Sequence, residues 1–388
     1  MVMEAWWREQ SELDKDQLDV IGLPDEGSFL VKGPPGSGKT NLLLLRANYL
    51  TTRSHPNLAV IVFNATLREF IRSGAQRYDF DVRNVQTSAS LLDGLLREAG
   101  VRIELTGEFE TDRLTRIELA ERVLVRPGRA PLYDVLLVDE AQDFLPREIV
   151  LFRHLTHDLF MVADSRQRIY AGESPMEALE QASERVLTLR YHYRNGPPIC
   201  ELADAIGRTF SAGYDPILPT CNYNSPALRS SVNVFRGTLA QQAAEIAQRL
   251  TLQRRTYPEG FLGVVCPRAA DVRGVAIALE GVGLGNLLCV QDREGRYQAI
   301  QPDKPIWVST IHGAKGLEFR ALHFAAAETT VSAGAGQKRL AYTAVTRAKT
   351  ALSVYHDAHL PGYLDAAVQK FRQAPAERPG IGAAFGRR

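Results

Sequence analysis

Eight consecutive residues constrain this chain more than any others: Gly33-Pro34-Pro35-Gly36-Ser37-Gly38-Lys39-Thr40. They fit the spacing GxxxxGK[ST], follow the apolar run SFLVKG (28–33) and open the leucine-rich stretch NLLLLRANYL (41–50). A strand, a glycine-rich turn and a helix in that order let backbone N–H groups close around phosphate oxygens, with the positive end of the helix behind them. Lys39 then reaches the β- and γ-phosphates and the Thr40 hydroxyl a magnesium ion. Such a turn sits at the carboxyl end of a strand in a helix-covered parallel sheet, so the motif predicts an α/β fold. Only eight of the 46 basic residues are lysines, which makes Lys39, Lys315 and Lys349 stand out at motif positions.

The rest of the chain has the same alternation of short apolar runs and helical patterns. Strands are predicted at LAVIVFN (58–64), NVQT (84–87), VLLVD (135–139) and LFMVAD (159–164), and later at VNVFRG (232–237), LGVVCP (262–267) and LLCVQD (287–292). IWVSTI (306–311), ALHFAA (321–326) and ALSVY (351–355) complete the set. A Gly-Pro-Pro sequence near 189–198 marks the join between two α/β domains. These readings give a first domain over 1–190 with a small helical insertion at about 90–131, a second over 191–370, and a flexible tail over 371–388 rich in Ala, Gly, Pro and Arg. The 388 residues are 45% hydrophobic and 23% charged, without any stretch of roughly 20 apolar residues, which excludes a membrane-spanning or disordered chain. The opening MVMEAWWREQ lacks the basic flank and apolar run of a signal peptide, and the expected location is the cytoplasm. Cys200, Cys221, Cys266 and Cys289 stand far apart without a CxxC pair, so neither a metal cluster nor a disulfide framework is signalled. The pairs His154/His157 and His356/His359 lack partners that would complete a metal site. A net charge of +1 assigns nucleic-acid binding, if any, to a local groove.

A second signal is Val135-Leu136-Leu137-Val138-Asp139-Glu140-Ala141-Gln142-Asp143, an apolar strand ending in carboxylates. Asp139 at the strand end is placed to hold magnesium through water, and Glu140 to act as general base on the attacking water. With Asp164-Ser165-Arg166-Gln167-Arg168-Ile169-Tyr170 after the next strand, this segment resembles the UvrD, PcrA and Rep group of superfamily 1 helicases. Tyr191-His192-Tyr193-Arg194-Asn195 is similar to that family's NYRS segment, and Thr310-Ile311-His312-Gly313-Ala314-Lys315-Gly316-Leu317-Glu318-Phe319 to its THxxKGLEF segment. Leu340-Ala341-Tyr342-Thr343-Ala344-Val345-Thr346-Arg347-Ala348-Lys349 resembles its LxYVAxTRA segment, and Leu13-Asp14-Lys15-Asp16-Gln17 the segment before the phosphate loop.

The resemblance implies two RecA-like domains with an ATP cleft between them, and ATP with Mg2+ as ligands. Gln17 then recognises adenine, Gln167 sits between the γ-phosphate and the water, Tyr193 stacks on adenine, and Arg194 contacts the γ-phosphate. Gly316 and Glu318 belong to the nucleotide site, with Glu318 receiving a ribose hydroxyl, and Arg347 is the arginine finger. Taken alone, Gln17 reads equally as a surface glutamine, and a Tyr-Arg pair as surface packing. The implied single-stranded DNA track takes Phe63, Asn64, Thr87, Ser88, Tyr170, Thr310 and His312, although Phe63 and His312 alone also fit a packed core.

Two departures from the family matter. After Tyr170 the family continues with a base-stacking tryptophan, whereas this chain reads Ala171-Gly172-Glu173. The family's two large inserted subdomains are cut down, to about 50 residues before Asp139 and to what fits within about 115 residues between Arg194 and Thr310. The expected activity is a DNA-dependent ATPase moving 3′ to 5′ on single-stranded DNA and unwinding tailed duplex. The alternatives are an ATP-driven switch or loading clamp for a protein partner, such as a nuclease in DNA repair or antiviral defence, and an RNA-directed motor. No membrane association is expected.

Overall fold

The computed structural model describes residues 13–53, 55–73, 80–126, 128, 130–170, 172–223, 229–258, 260–291, 304–330 and 334–372. The opening decapeptide, Ala171, Asp292 and the tail from Gln373 onward lie outside the described residues.

In chain order the first half runs α1 (Lys15–Ile21), β1 (Phe29–Lys32), α2 (Lys39–Arg53), β2 (Leu58–Val62), α3 (Ala65–Ser73), β3 (Val85–Thr87), α4 (Ser88–Glu98) and α5 (Phe109–Leu124). It continues through β4 (Tyr133–Val138), α6 (Pro146–Leu155), β5 (Thr156–Ala163), α7 (Met176–Gln181) and β6 (Arg185–Thr188). The second half contains α8 (Pro197–Gly207), β7 (Ser231–Arg236), α9 (Leu239–Thr256), β8 (Leu262–Cys266), α10 (Ala269–Gly281) and β9 (Leu288–Val290). β10 (Ile306–Thr310), β11 (Phe319–Phe324), α11 (Ala335–Thr346), β12 (Ala348–His356) and α12 (Gly362–Val368) follow.

The described strands form two six-stranded sheets, ordered β3-β2-β4-β5-β1-β6 and β7-β12-β11-β8-β10-β9, and every strand pair is parallel. Helices cover both faces of the first sheet, which is why its strands are continuous apolar runs and not alternating ones. Leu136 and Val138 pack with Leu30, Ile61 and Met161 on one face, while Leu137 packs with Val31, Val60 and Val162 on the other. That second layer extends without a break to Ile311, Leu317 and Val345, so one apolar core joins the two sheets.

Each strand expected from the sequence is present, with ends shifted by at most three residues where they are described. One was not expected. β6 is a four-residue edge strand with three exposed positions, paired to β1 alone, and it carries no apolar run to reveal it. The segment between β3 and β4 is helical as expected, and α4 packs along α5.

Register positions the site. Lys32 lies level with Ala163, and Val138 with Met161, so the turns after β1, β4 and β5 leave the same edge of the sheet. Opposite them stands the turn after β10, together with the start of β12, where Phe319 N–H bonds to the Arg347 carbonyl at 2.9 Å.

Candidate functional site

The turn between β1 and α2 is built for close approach. Gly36 and Gly38 take φ of +77° and +85°, which side chains disfavour. A Cβ on Gly36 would lie 2.4 Å from Arg194 Cβ, so the loop and the Tyr193-Arg194 segment touch through backbone, with Tyr193 N–H bonded to the Gly36 carbonyl at 3.1 Å. The Ser37 hydroxyl is buried without a hydrogen-bond partner. Lys39 Nζ donates to the carbonyls of Gly33 and Pro34, both at 2.9 Å, and burial lowers its pKa. Thr40 Oγ1 donates to Asp139 Oδ2 at 2.8 Å.

Asp139 is pushed up to about 7, first by burial and then by the charge of Glu140. A divalent cation between Thr40 and Asp139 would relieve that stress, and the orphan Ser37 hydroxyl and the glycine turn suit a phosphate chain; the residues present therefore fit Mg2+ with ATP. Glu140 is one of two non-glycine residues with positive φ among those described, at 50°, a conformation costing roughly 1–2 kcal/mol. Strain of this kind concentrates at functional sites. Burial raises the Glu140 carboxyl, but Lys315, Arg347 and Lys39 outweigh it and the net direction is down. Glu140 is thus held as a carboxylate, with the Gln142 amide donating to it.

Groups from the second half complete the cleft. Arg347, at the end of α11 and 1% exposed, donates to Gln167 Oε1, while Gln167 Nε2 donates to Thr346 Oγ1 at 3.0 Å. Burial, with Arg194 nearby, lowers the Arg347 pKa to about 10. Arg194 donates to Glu318 Oε1, and Lys349 pairs with the other Glu318 oxygen at 2.9 Å. Burial opposes ionisation of Glu318, yet these two cations bring it down to about 2.

Lys315 is the residue whose role sequence reasoning missed. It is fully buried, donates to Asp143 and to the Gln167 carbonyl (2.7 Å), and lies 3.8 Å from Glu140. The scarcity of lysine flagged the position; nothing local in the sequence pointed to Asp143 as its partner. Thr346 and Lys349 also reach the cleft, Thr346 through Gln167 and Lys349 through Glu318.

Of the residues expected at the nucleotide, Pro35, Gly36, Gly38, Lys39, Thr40, Asp139, Glu140, Gln167, Arg194, Glu318 and Arg347 line one cleft. Gly33, Pro34 and Ser37 form the loop behind it. Gln17 is buried behind the loop, where its amide donates to the Ser37 carbonyl at 2.9 Å and its carbonyl caps α1 through the Asp14 N–H at 3.0 Å. The Tyr193 hydroxyl donates to Asp14. Gly316 packs on α3, where a Cβ would meet Leu67 Cδ2 at 2.9 Å, and its φ of +85° explains the glycine.

The residues expected on a nucleic-acid track fall into two groups. Phe63 and Tyr170 pack at 4.3 Å between ring centroids with their planes tilted by 37°, and His312 lies 5.5 Å from Tyr170. Phe109, at the start of α5, joins them at 6.4 and 6.1 Å and is 54% exposed. The Arg113 guanidinium lies 5.3 Å over the Phe63 ring, within cation–π range. Thr87 and Ser88 line the same aromatic pocket, although the Thr87 hydroxyl caps α4 and Ser88 donates to Glu148 at 2.9 Å. Asn64 bridges the two halves through the Lys315 carbonyl at 3.0 Å, and Thr310 Oγ1 accepts from Gly313 N–H at 3.1 Å.

Residues 24–176 match the family model of an AAA domain, and residues 305–355 that of the UvrD-like helicase C-terminal domain. The chain is thus similar to an AAA domain in its first half and to a UvrD-like helicase C-terminal domain in its second. The first match holds the phosphate loop, Asp139, Glu140 and Gln167, and the second Lys315, Glu318 and Arg347, so each supplies one wall of the cleft. Among solved structures the chain is similar to the C-terminal domain of a possible DNA helicase from Lactobacillus plantarum WCFS1, at 16% identity over 47% of this chain and 97% of that one, with a TM-score of 0.33. It is also similar to the PRRSV helicase, at 16% identity and a TM-score of 0.42, covering 85% of this chain and 52%, about half, of that one. No curated protein matches the chain. No helix among the described residues is long and apolar enough to cross a membrane.

Proposed function

We propose that this protein hydrolyses ATP to move 3′ to 5′ along single-stranded DNA. In this reading residues 1–190 form the ATP-binding RecA-like domain, with its insertion at about 90–131, and residues 191–370 the second. The observation that carries it is the contact of Arg347 with Gln167, beside a carboxylate base and a phosphate loop. Hydrolytic groups are thus divided between the two halves, so that closing the cleft and cleaving the nucleotide are one event.

Lys39 leaves the Gly33 and Pro34 carbonyls for the β- and γ-phosphates; Thr40 and Asp139 would hold Mg2+, which would supply charge neutralisation. Gln167 orients the water and Glu140 takes its proton as the new oxygen–phosphorus bond forms and the β–γ bridge breaks, leaving ADP and phosphate. Arg347 and Arg194 neutralise the charge that builds on the transferring group. Release of phosphate frees both arginines and loosens the two walls. Gln17 acts through the loop it braces, and its amide is the group assigned here to adenine.

The strand itself lies over the loops at the strand ends, where Phe63, Phe109 and Tyr170 offer faces to unstacked bases. Phe109 takes over the role of the tryptophan that the sequence lacks after Tyr170. Displacement of a labelled strand from duplexes with 3′ or 5′ tails tests the reading. Opening only of 3′-tailed duplex, dependent on ATP, is expected; robust ATP turnover with no movement on either substrate would favour the switch for a nuclease-like partner.

A further inference from the structure

Four cysteines scattered over the chain gave no sign of a metal site, yet the fold brings two of them to one histidine. His192 follows the join between the halves, Cys200 sits in the first turn of α8, and Cys221 ends a short helical turn. A parallel bridge aligns His192 with Cys221, fixed by Asn222 N–H donating to the His192 carbonyl at 2.8 Å. The ligand atoms of the three side chains lie within 4.8 Å of one another, with Cys200 Sγ 3.8 Å from His192 Nε2. Both thiols face a single backbone oxygen, that of Asn195, at 3.3 and 3.2 Å.

We propose that His192, Cys200 and Cys221 hold a borderline-soft divalent cation of the zinc class. Two thiolates and one imidazole are the donor set that such a cation prefers to magnesium or calcium. Separations of this size between donors suit tetrahedral bonds of roughly 2.0–2.3 Å from a shared centre. The fourth place falls to the Asn195 carbonyl, toward which both sulfurs already point. Binding releases two thiol protons. The His192 Nε2 proton, now shared with the Ile217 carbonyl at 2.8 Å, moves to Nδ1, a buried nitrogen without a hydrogen-bond partner. Cys221 is half-buried and gives the ion its way in.

The site has a mechanical consequence. It straps residues 192–195 to α8 and Cys221, and the same four residues carry Tyr193 and Arg194 to the phosphate loop. The ion is structural and lies outside the ATP cleft.

The test is metal analysis of the full chain purified in a non-thiol reductant, followed by titration of the chelator-stripped protein with cobalt(II). About one zinc per chain and a sulfur-to-cobalt charge-transfer band are expected, a signature that cobalt at Thr40 and Asp139 cannot give. Cys221→Ser should bind cobalt about tenfold more weakly or worse. A protein free of zinc whose cobalt complex shows no sulfur band overturns the proposal, and so does recovery of Cys200 and Cys221 as a metal-free disulfide. The wild-type titration decides even where Cys200→Ser fails to fold.

Discussion

Lys315 carries a full charge into a place sealed from water, where Asp143, the Gln167 carbonyl and Glu140 surround it. Lys315→Met keeps most of the stem and deletes the cation, leaving Asp143 buried and unpaired. Breaking a buried pair from one side costs about 3–5 kcal/mol. Protonation caps the loss, because burial already holds Asp143 up to about 6 against the pull of Lys315, and without that pull it rises further. A carboxyl whose folded pKa lies above its unfolded value, about 3.9, binds more protons folded than unfolded, so stability falls as pH rises between the two values. The variant has the higher folded value, so its deficit against wild type widens as pH climbs above about 6. We expect a deficit of about 3–5 kcal/mol near pH 8 and clearly less near pH 5.5, read by urea unfolding. Lys315→Met with Asp143→Leu should recover much of the stability, since an apolar pair replaces the ionic one, yet turn ATP over slowly because Glu140 has lost a cation. A single variant as stable as wild type near pH 8, or a deficit independent of pH, would refute the reasoning.

Further outcomes follow from the cleft and the pocket. Glu140→Gln should bind ATP with near wild-type affinity and lose about 100-fold or more in turnover, measured by phosphate release. Arg347→Ala should retain DNA binding and lose roughly 1,000-fold in turnover; a loss below tenfold would remove it as the finger. Because Asp139 is raised to about 7, protons should compete with Mg2+, so the Mg2+ needed for half-maximal turnover should rise as pH falls through that value, and a flat dependence would contradict the assignment. Phe109→Ala touches an exposed ring, so thermal stability should hold while affinity for single strands weakens by about 1–3 kcal/mol, and Phe109→Trp should restore it.

The glycine-rich turn between β1 and α2 was legible because its signal is local: glycines, a lysine and a hydroxyl at fixed spacing can be recognised without a partner. Strands were legible because a sheet covered on both faces needs unbroken apolar runs, and β6 escaped because an edge strand does not. Long-range partners were less visible. The Lys315–Asp143 pair spans 172 residues, and Arg347 with Gln167 spans 180. Motif order placed Arg347 and Gln167 at one cleft, but not in contact. The resemblance puts Gly316 at the nucleotide, and it says nothing of the left-handed backbone that brings Gly316 against Leu67. Phe109 belongs to an insertion without motif character, and only folding brings it beside Phe63 and Tyr170. The cysteines show the same limit, since spacing in sequence says nothing of two residues joined by a parallel bridge.

The central claim is that one cleft couples ATP to a strand track, and steady-state ATP hydrolysis with and without single-stranded DNA tests it most directly, with Lys39→Ala as the blank. Turnover should be slow alone, rise at least about tenfold with DNA, and vanish in the blank. Brisk turnover that DNA leaves unchanged would contradict the account.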